Sequence, residues 1–228
     1  MIKNILFDLD ETIFDFHMAE RNALIKTLHH FDIESTEQII KRYSEINLAQ
    51  WKLLEKKIIT RDELKVRRFK LLFGEIGCSC SPCEATEFYA KRLSEGGFYI
   101  NGAEELLKKL ISKYRLYIVS NGFLNTQKGR IKSAGAEKYF NGIFISEEIG
   151  CDKPSVEFFD KCFSKIPDFN KVETIIVGDS ISSDIKGGKN AGITTVWFNS
   201  AGVVNNSDVI PDYEICSLDE LELLLKKI

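Results

Sequence analysis

Long apolar runs are missing from this chain, and no stretch approaches the roughly 20 consecutive apolar residues that a bilayer crossing demands. The apolar run near Met1 is also too short for the core of a secretory signal, so the expected compartment is the cytoplasm. An excess of one charge is missing too. A formal net charge of −3 offers no basic face to a polyanion, which argues against a nucleic acid polymer or an anionic membrane as partner. There is no Gly-rich Walker loop, which argues against an NTP-driven motor, and there is no internal repeat or low-complexity tract. Histidine is scarce. The three present, His17, His29 and His30, lie far in sequence from the cluster Cys78, Cys80 and Cys83. Structural zinc takes four ligands, usually in two pairs, so these three cysteines read as ordinary thiols. With no export signal, they and Cys151, Cys162 and Cys216 are expected to be reduced.

What is present suits a soluble globular protein, with 44% hydrophobic and 29% charged residues on a chain long enough for one sizeable core plus a smaller domain. Residues 16–95 read almost entirely as helix. Ile39, Ile40, Tyr43, Ile46, Leu53 and Leu54 recur at helical spacing with charged residues between them. Thr60 and Glu63 form a capping box for a helix over 61–69, and Pro82 suits the first turn of another. From Gly102 onward the pattern alternates: helix 104–113, strand 116–119, helix 125–134, strand 143–145, helix 156–165, strand 175–177, helix 183–191, strand 194–198, a weak strand 213–215 and a final helix 218–227. Such alternation predicts an α/β fold, a parallel sheet with helices on both faces, interrupted by an inserted helical domain. The expected division is 1–15 with 97–228 for the α/β part and 16–96 for the insert, with Gly96 and Gly97 as a flexible joint.

Three apolar runs without alternation end in polar residues. Ile5-Leu6-Phe7 leads into Asp8-Leu9-Asp10, Tyr117-Ile118-Val119 into Ser120-Asn121-Gly122, and Ile175-Ile176-Val177 into Gly178-Asp179-Ser180, with Asp184 following. Runs of this kind are strands buried on both faces, and the carboxyl ends of adjacent parallel strands share one crevice. In isolation Asp8 and Asp10 would pass for an Asp-rich turn. Gathered together, Asp8, Asp10, Asp179 and Asp184 are four carboxylates with hardly any cation among them except Lys153. A hard divalent ion resolves that repulsion, and magnesium suits one or two carboxylates with waters and a substrate phosphate. Ser120 and the backbone N–H groups after it would donate to an anion, and Lys153 would add positive charge. The parts together describe a phosphoryl-transfer site.

These residues carry a family resemblance. Asp8-x-Asp10-x-Thr12, Ser120-Asn121, Lys153 and Gly178-Asp179 with Asp184 match, in order, the four motifs of the haloacid dehalogenase superfamily phosphatases, and the likeness covers essentially the whole length. It implies a Rossmann-like three-layer core with a helical cap over 16–96, and magnesium as cofactor. It further implies Asp8 as the nucleophile forming an aspartyl-phosphate and Asp10 as the acid and base, steadied by a hydrogen bond from Thr12. Ser120, Asn121, Gly122 and Lys153 would bind the phosphoryl group. The metal would be held by Asp8, the Asp10 carbonyl and Asp179, with Asp184 holding a metal-bound water or orienting Lys153.

Within the insert, Ile46-Asn47 with Trp51, and Ile59-Thr60-Arg61 with Leu64, resemble a bacterial branch acting on nucleoside monophosphates, especially pyrimidine ones, as does Ile145 to Gly150. Asn47 and Trp51 are accordingly candidate substrate contacts, although Trp51 as helix packing and Asn47 as a helix-surface residue is the favoured reading. The basic run Lys65 to Lys70 reads as a solvated helix face. The expected enzyme is a 5′-nucleotidase working on a small phosphorylated metabolite as a monomer or weak homodimer. The alternatives are a phosphatase of another ester, such as a sugar phosphate or phosphoglycolate, and a non-catalytic phosphate-sensing or protein-binding module. A mutase is less favoured because it must shield the aspartyl-phosphate from water, and a dehalogenase because that branch lacks a carboxylate at the Asp10 position.

Overall fold

The computed structural model describes all 228 residues. The chain divides into two compact units, Met1–Phe16 with Gly97–Ile228, and His17–Gly96.

The first unit is built on a six-stranded sheet, β1 (Asn4–Phe7), β2 (Arg115–Ser120), β3 (Gly142–Ile145), β4 (Thr174–Gly178), β5 (Thr194–Phe198) and β6 (Tyr213–Ile215). Its order is β3-β2-β1-β4-β5-β6, and every pairing is parallel. The α/β class expected from strand–helix alternation is therefore the one observed. β1 is central, with Phe7 in register with Ile118 on one side and Val177 on the other. The strand order reverses at β1, which is where open α/β sheets bind ligands.

The lack of alternation in the strand sequences has a direct cause. Ile5, Phe7, Ile118, Ile175 and Val177 pack on one face against Leu106, Leu107 and Leu110 of α5 (Ala103–Leu110) and Leu218 and Leu221 of α10 (Leu218–Leu225). Leu6, Tyr117, Val119 and Ile176 pack on the other against Phe158, Phe159 and Cys162 of α8 (Val156–Phe163) and Ala191 of α9 (Lys186–Ala191). Both faces are dry, so both sets of side chains are apolar. This unit also holds α6 (Leu124–Ser133) and the single-turn α7 (Ser146–Ile149). The helix expected over 183–191 begins instead with a wide turn over Ile181–Ile185, and regular α-helix follows only from Lys186. Turns of that kind recur at functional sites, and this one carries Asp184.

Beyond β1 the chain makes a tight loop and then a short two-stranded ribbon. Ile13 and Phe14 donate back to the Leu9 carbonyl. Asp15 N donates to Phe98 O, Ile100 N donates to Ile13 O, both at 2.9 Å, and Phe14 bridges Tyr99 antiparallel.

The second unit holds most of α1 (Phe16–His30), with α2 (Glu37–Glu55), α3 (Arg61–Ile76) and α4 (Pro82–Leu93). Thr60 and Glu63 do form a capping box, and Pro82 does sit in the first turn of α4. Tyr43, Phe69 and Tyr89 meet with ring centroids 5.1–5.4 Å apart in its core. Gly96 and Gly97 are each closely packed. A Cβ on Gly96 would lie 2.7 Å from the Ala19 Cβ, and one on Gly97 only 2.4 Å from the Arg130 carbonyl. Their missing side chains permit close packing within each unit.

Candidate active site

Asp8 follows β1 and is buried, as are Lys153 and Asp184. The Lys153 ammonium donates to Asp8 Oδ1 at 2.6 Å, to the Val119 carbonyl at 2.6 Å and to Asp184 Oδ1 at 2.7 Å. Its three hydrogens are thus matched by three acceptors. The other Asp184 oxygen accepts from Ser180 N at 3.1 Å. This close folding of the wide turn onto β4 depends on Gly178, because a Cβ there would fall 2.3 Å from Asp184 Oδ2. Half-buried Asp179 is tied down through its backbone, whose carbonyl accepts from Trp197 Nε1 at 2.8 Å.

Carboxylate oxygens of Asp8, Asp179 and Asp184 all lie within 4.8 Å of one another. Burial, then repulsion from Asp184, pushes the Asp8 carboxyl up to about 7 despite Lys153. Burial, then repulsion from Asp8 and Asp184, pushes Asp179 to about 8. Burial works against the Lys153 ammonium, but Asp184 and Asp8 outweigh it and the lysine holds its proton more tightly than usual. Three carboxylates around one ammonium form an electrostatically incomplete site. Its all-oxygen donor set fits a hard divalent cation, which reverses the cost of ionising these groups.

Asp10 is organised differently. Its Oδ2 accepts from Gln127 Nε2 at 2.7 Å, and its Oδ1 accepts from Arg130 Nη1. Arg130 is fully buried on α6, with its guanidinium carbon 5.6 Å from the ring centres of both Phe14 and Phe16. The expected hydrogen bond from Thr12 to Asp10 is absent. The Thr12 hydroxyl is buried without any partner, and the two α6 residues occupy the Asp10 oxygens in its place. Lys153 is therefore not the only cation beside the four carboxylates. A polar pair three apart and beside Ile131 on one helix face was the available signal for Gln127 and Arg130.

Ser120 ends β2, and its hydroxyl accepts from Gln127 Nε2 at 2.9 Å and from Gly122 N at 3.1 Å. Asn121 braces the lysine loop in both directions, donating to Lys153 O at 2.9 Å and accepting from Lys153 N at 2.8 Å. The structure thus brings Asp8, Asp10, Ser120, Asn121, Gly122, Lys153, Asp179 and Asp184 together at the carboxyl ends of β1, β2 and β4.

In the helical unit Asn47 is 2% exposed, so it is not a helix-surface residue. It donates to Glu20 Oε1 at 2.7 Å and accepts from Arg68 Nη1 at 3.2 Å, which engages its amide inside the unit. Arg68 is also buried, stacked 4.7 Å over the Tyr89 ring, and does not belong to the solvated basic face expected for residues 65–70. Trp51 lies half-buried on α2.

The family model described as Haloacid dehalogenase-like hydrolase matches residues 5–198. The chain is 39% identical to the HAD-hydrolase YfnB of Bacillus subtilis over 98% of its own length and 95% of that protein. A crystal structure of YfnB, described as bound to magnesium and revealing interdomain movement, superposes with a TM-score of 0.94 over 98% of each chain at 38% identity. The chain is 38% identical to the pyrimidine 5′-nucleotidase PynA of Streptococcus pneumoniae, covering 96% of this chain and 93% of PynA. It is 30% identical to the pyrimidine 5′-nucleotidase YjjG of Escherichia coli, covering 98% and 97%.

Proposed function

This chain belongs to the haloacid dehalogenase-like hydrolases, and from that premise we propose that it is a magnesium-dependent phosphomonoesterase acting on nucleoside 5′-monophosphates, pyrimidine ones first. The observation that carries the reading is the trio Asp8, Asp179 and Asp184 at the sheet's switch point, with one buried lysine bridging Asp8 and Asp184. An anionic pocket that cannot ionise comfortably alone needs a cation, and cation plus lysine would suit a phosphate ester. The pyrimidine preference draws on the likeness to PynA and YjjG, and the metal on the magnesium in YfnB.

Asp8, the Asp10 carbonyl and Asp179 would hold the metal, with Asp184 orienting Lys153. When bound, magnesium supplies positive charge that screens the phosphoryl oxygens and the carboxylates from one another. The protein's own groups do the rest. Ser120 donates to the phosphoryl oxygens, with Gly122 N bound to its hydroxyl oxygen, while Lys153 steadies Asp8. The Asp8 carboxylate attacks phosphorus, forming an acyl-phosphate bond as the bond to the ester oxygen breaks, and Asp10 gives that oxygen its proton. A water then attacks the aspartyl-phosphate, Asp10 recovers a proton from it, and inorganic phosphate departs with Asp8 restored.

Steady-state rates on a panel of nucleoside monophosphates and sugar phosphates, with magnesium and with chelator, test this directly. Nucleotides should lead by kcat/KM, and chelator should abolish turnover. Sugar phosphates turning over equally well or better would remove the nucleotide assignment. No turnover of any ester would remove the enzymatic one.

A further inference from the structure

Gln127 and Arg130 sit one helical turn apart on α6, and both are buried, Gln127 with 2% of its surface exposed and Arg130 with none. Burying a guanidinium is costly unless it is paired. Its partners here include the Asp10 carboxylate and the Gln127 carbonyl oxygen, the latter accepting from Arg130 Nη1 at 3.0 Å.

That last contact decides the direction of every bond beyond it. An arginine only donates and a carboxylate only accepts. Turning the Gln127 amide over would set its oxygen against Asp10 and its N–H groups against Arg130, two clashes of like polarity. Gln127 Oε1 must therefore face Arg130, which leaves both Nε2 hydrogens for the other side. One goes to Asp10 Oδ2 and one to Ser120 Oγ. Ser120 Oγ also accepts from Gly122 N. With both acceptor positions of the hydroxyl filled, its own hydrogen has no role except to donate away from this network. Gly122 is part of the same device, because a Cβ on it would lie 2.4 Å from Gln127 Nε2.

We propose that Arg130 and Gln127 are positioning residues that fix the orientation of the Asp10 carboxyl and force the Ser120 hydroxyl to serve as a donor to the phosphoryl group. The assignment rests on the roles given above to Asp10 and Ser120.

The test compares two esters: 4-nitrophenyl phosphate, whose phenolate leaves without a proton, and a nucleoside 5′-monophosphate, whose alkoxide needs one. Gln127→Met keeps length and bulk but loses the polar contacts. It should lower kcat on the nucleotide by about 10²-fold, the lower end of what a general acid contributes, with a much smaller loss on the aryl ester. It should also raise KM several-fold for both, because Ser120 is no longer held as a donor. Arg130→Lys should retain more nucleotide turnover than Arg130→Met. In an Asp10→Asn background Gln127→Met should cost no further kcat on the nucleotide, because it acts through Asp10. Equal losses on both esters, or losses that multiply with those of Asp10→Asn, would overturn the proposal while leaving Asp10 as the acid. If Asp10→Asn alone leaves the ratio of the two esters unchanged, the acid role fails and this inference falls with it. Should Arg130→Met not fold, the Gln127→Met cycle decides by itself.

Discussion

Each unit of the chain buries a polar cluster, and the two clusters are built on opposite principles. In His17–Gly96, Glu20 and Arg68 are both buried and share Asn47 between them, with Ser44 closing on the second Glu20 oxygen. One negative and one positive charge meet through a neutral amide, and the cluster is balanced in charge. At the carboxyl end of β1 three carboxylates crowd one ammonium, and two of them are driven above neutrality or close to it. Balance marks a cluster that holds a fold together. Imbalance of this kind is what a bound cation would relieve, and a protein retains it at a cost in stability.

Four experiments would break or sharpen that contrast. The largest effect belongs to Asp8→Asn. We expect kcat to fall on the order of 10⁶-fold, the size of loss seen when a hydrolase loses its nucleophile, while the metal-free protein melts higher because a repelling carboxyl is gone. A variant that melted lower would place Asp8 among the structural groups instead. Next comes Asn47→Ala, which strands Glu20 and Arg68 without their shared amide. Stability should drop by about 2–3 kcal/mol, read from the urea midpoint, and an unchanged midpoint would show that the helical unit does not depend on this network.

A smaller effect links metal and pH. Asp8 and Asp179 have folded pKa values of about 7 and about 8, raised from 3.8. Groups shifted upward stabilise the fold fully below their unfolded pKa, and that contribution is lost as pH rises through the folded values. The metal-free protein should thus lose stability between pH 4 and 8, and the melting shift produced by magnesium should be larger at pH 8.5 than at pH 5.5. Equal shifts at the two pH values would detach the metal from these carboxyls. The smallest effect is expected of Thr12→Val. Its hydroxyl is buried without a partner, so removing it should change stability by no more than about 0.5 kcal/mol, with kcat close to that of the parent. A large fall in kcat would restore the link from Thr12 to Asp10 that the geometry does not contain.

Legibility in the sequence followed from how each residue meets solvent. Ile5 to Phe7, Tyr117 to Val119 and Ile175 to Val177 stood out because strands covered on both faces admit no polar residue until they reach the sheet edge. Asp8, Ser120 and Asp179 were therefore visible as the first polar residues beyond them, and Lys153 gained meaning from their company. Gln127, Arg130, Asn47 and Arg68 were hidden for the converse reason. Long polar side chains on amphipathic helices ordinarily mark the wet face, and periodicity cannot tell a solvated arginine from one folded inward onto a carboxylate. Arg130 shares its helix face with Ile131, and Arg68 lies beside Phe69, so the dry stripe of each helix includes a charge. Only the partner, distant in sequence, reveals why.

The short ribbon formed by residues 13–15 and 98–100 has a consequence for how such a chain can change over generations. The helical insert leaves and re-enters the sheet unit through neighbouring, hydrogen-bonded residues, so its two ends are already joined before it begins. Threading a longer, shorter or altogether different segment between them adds little to the entropy of closing that loop. Asp8, five residues before the ribbon, keeps its place whatever is threaded there. The helical insert and the sheet edge that carries Asp8 thus sit on separately replaceable lengths of one chain, and a descendant can exchange the first without renegotiating the second.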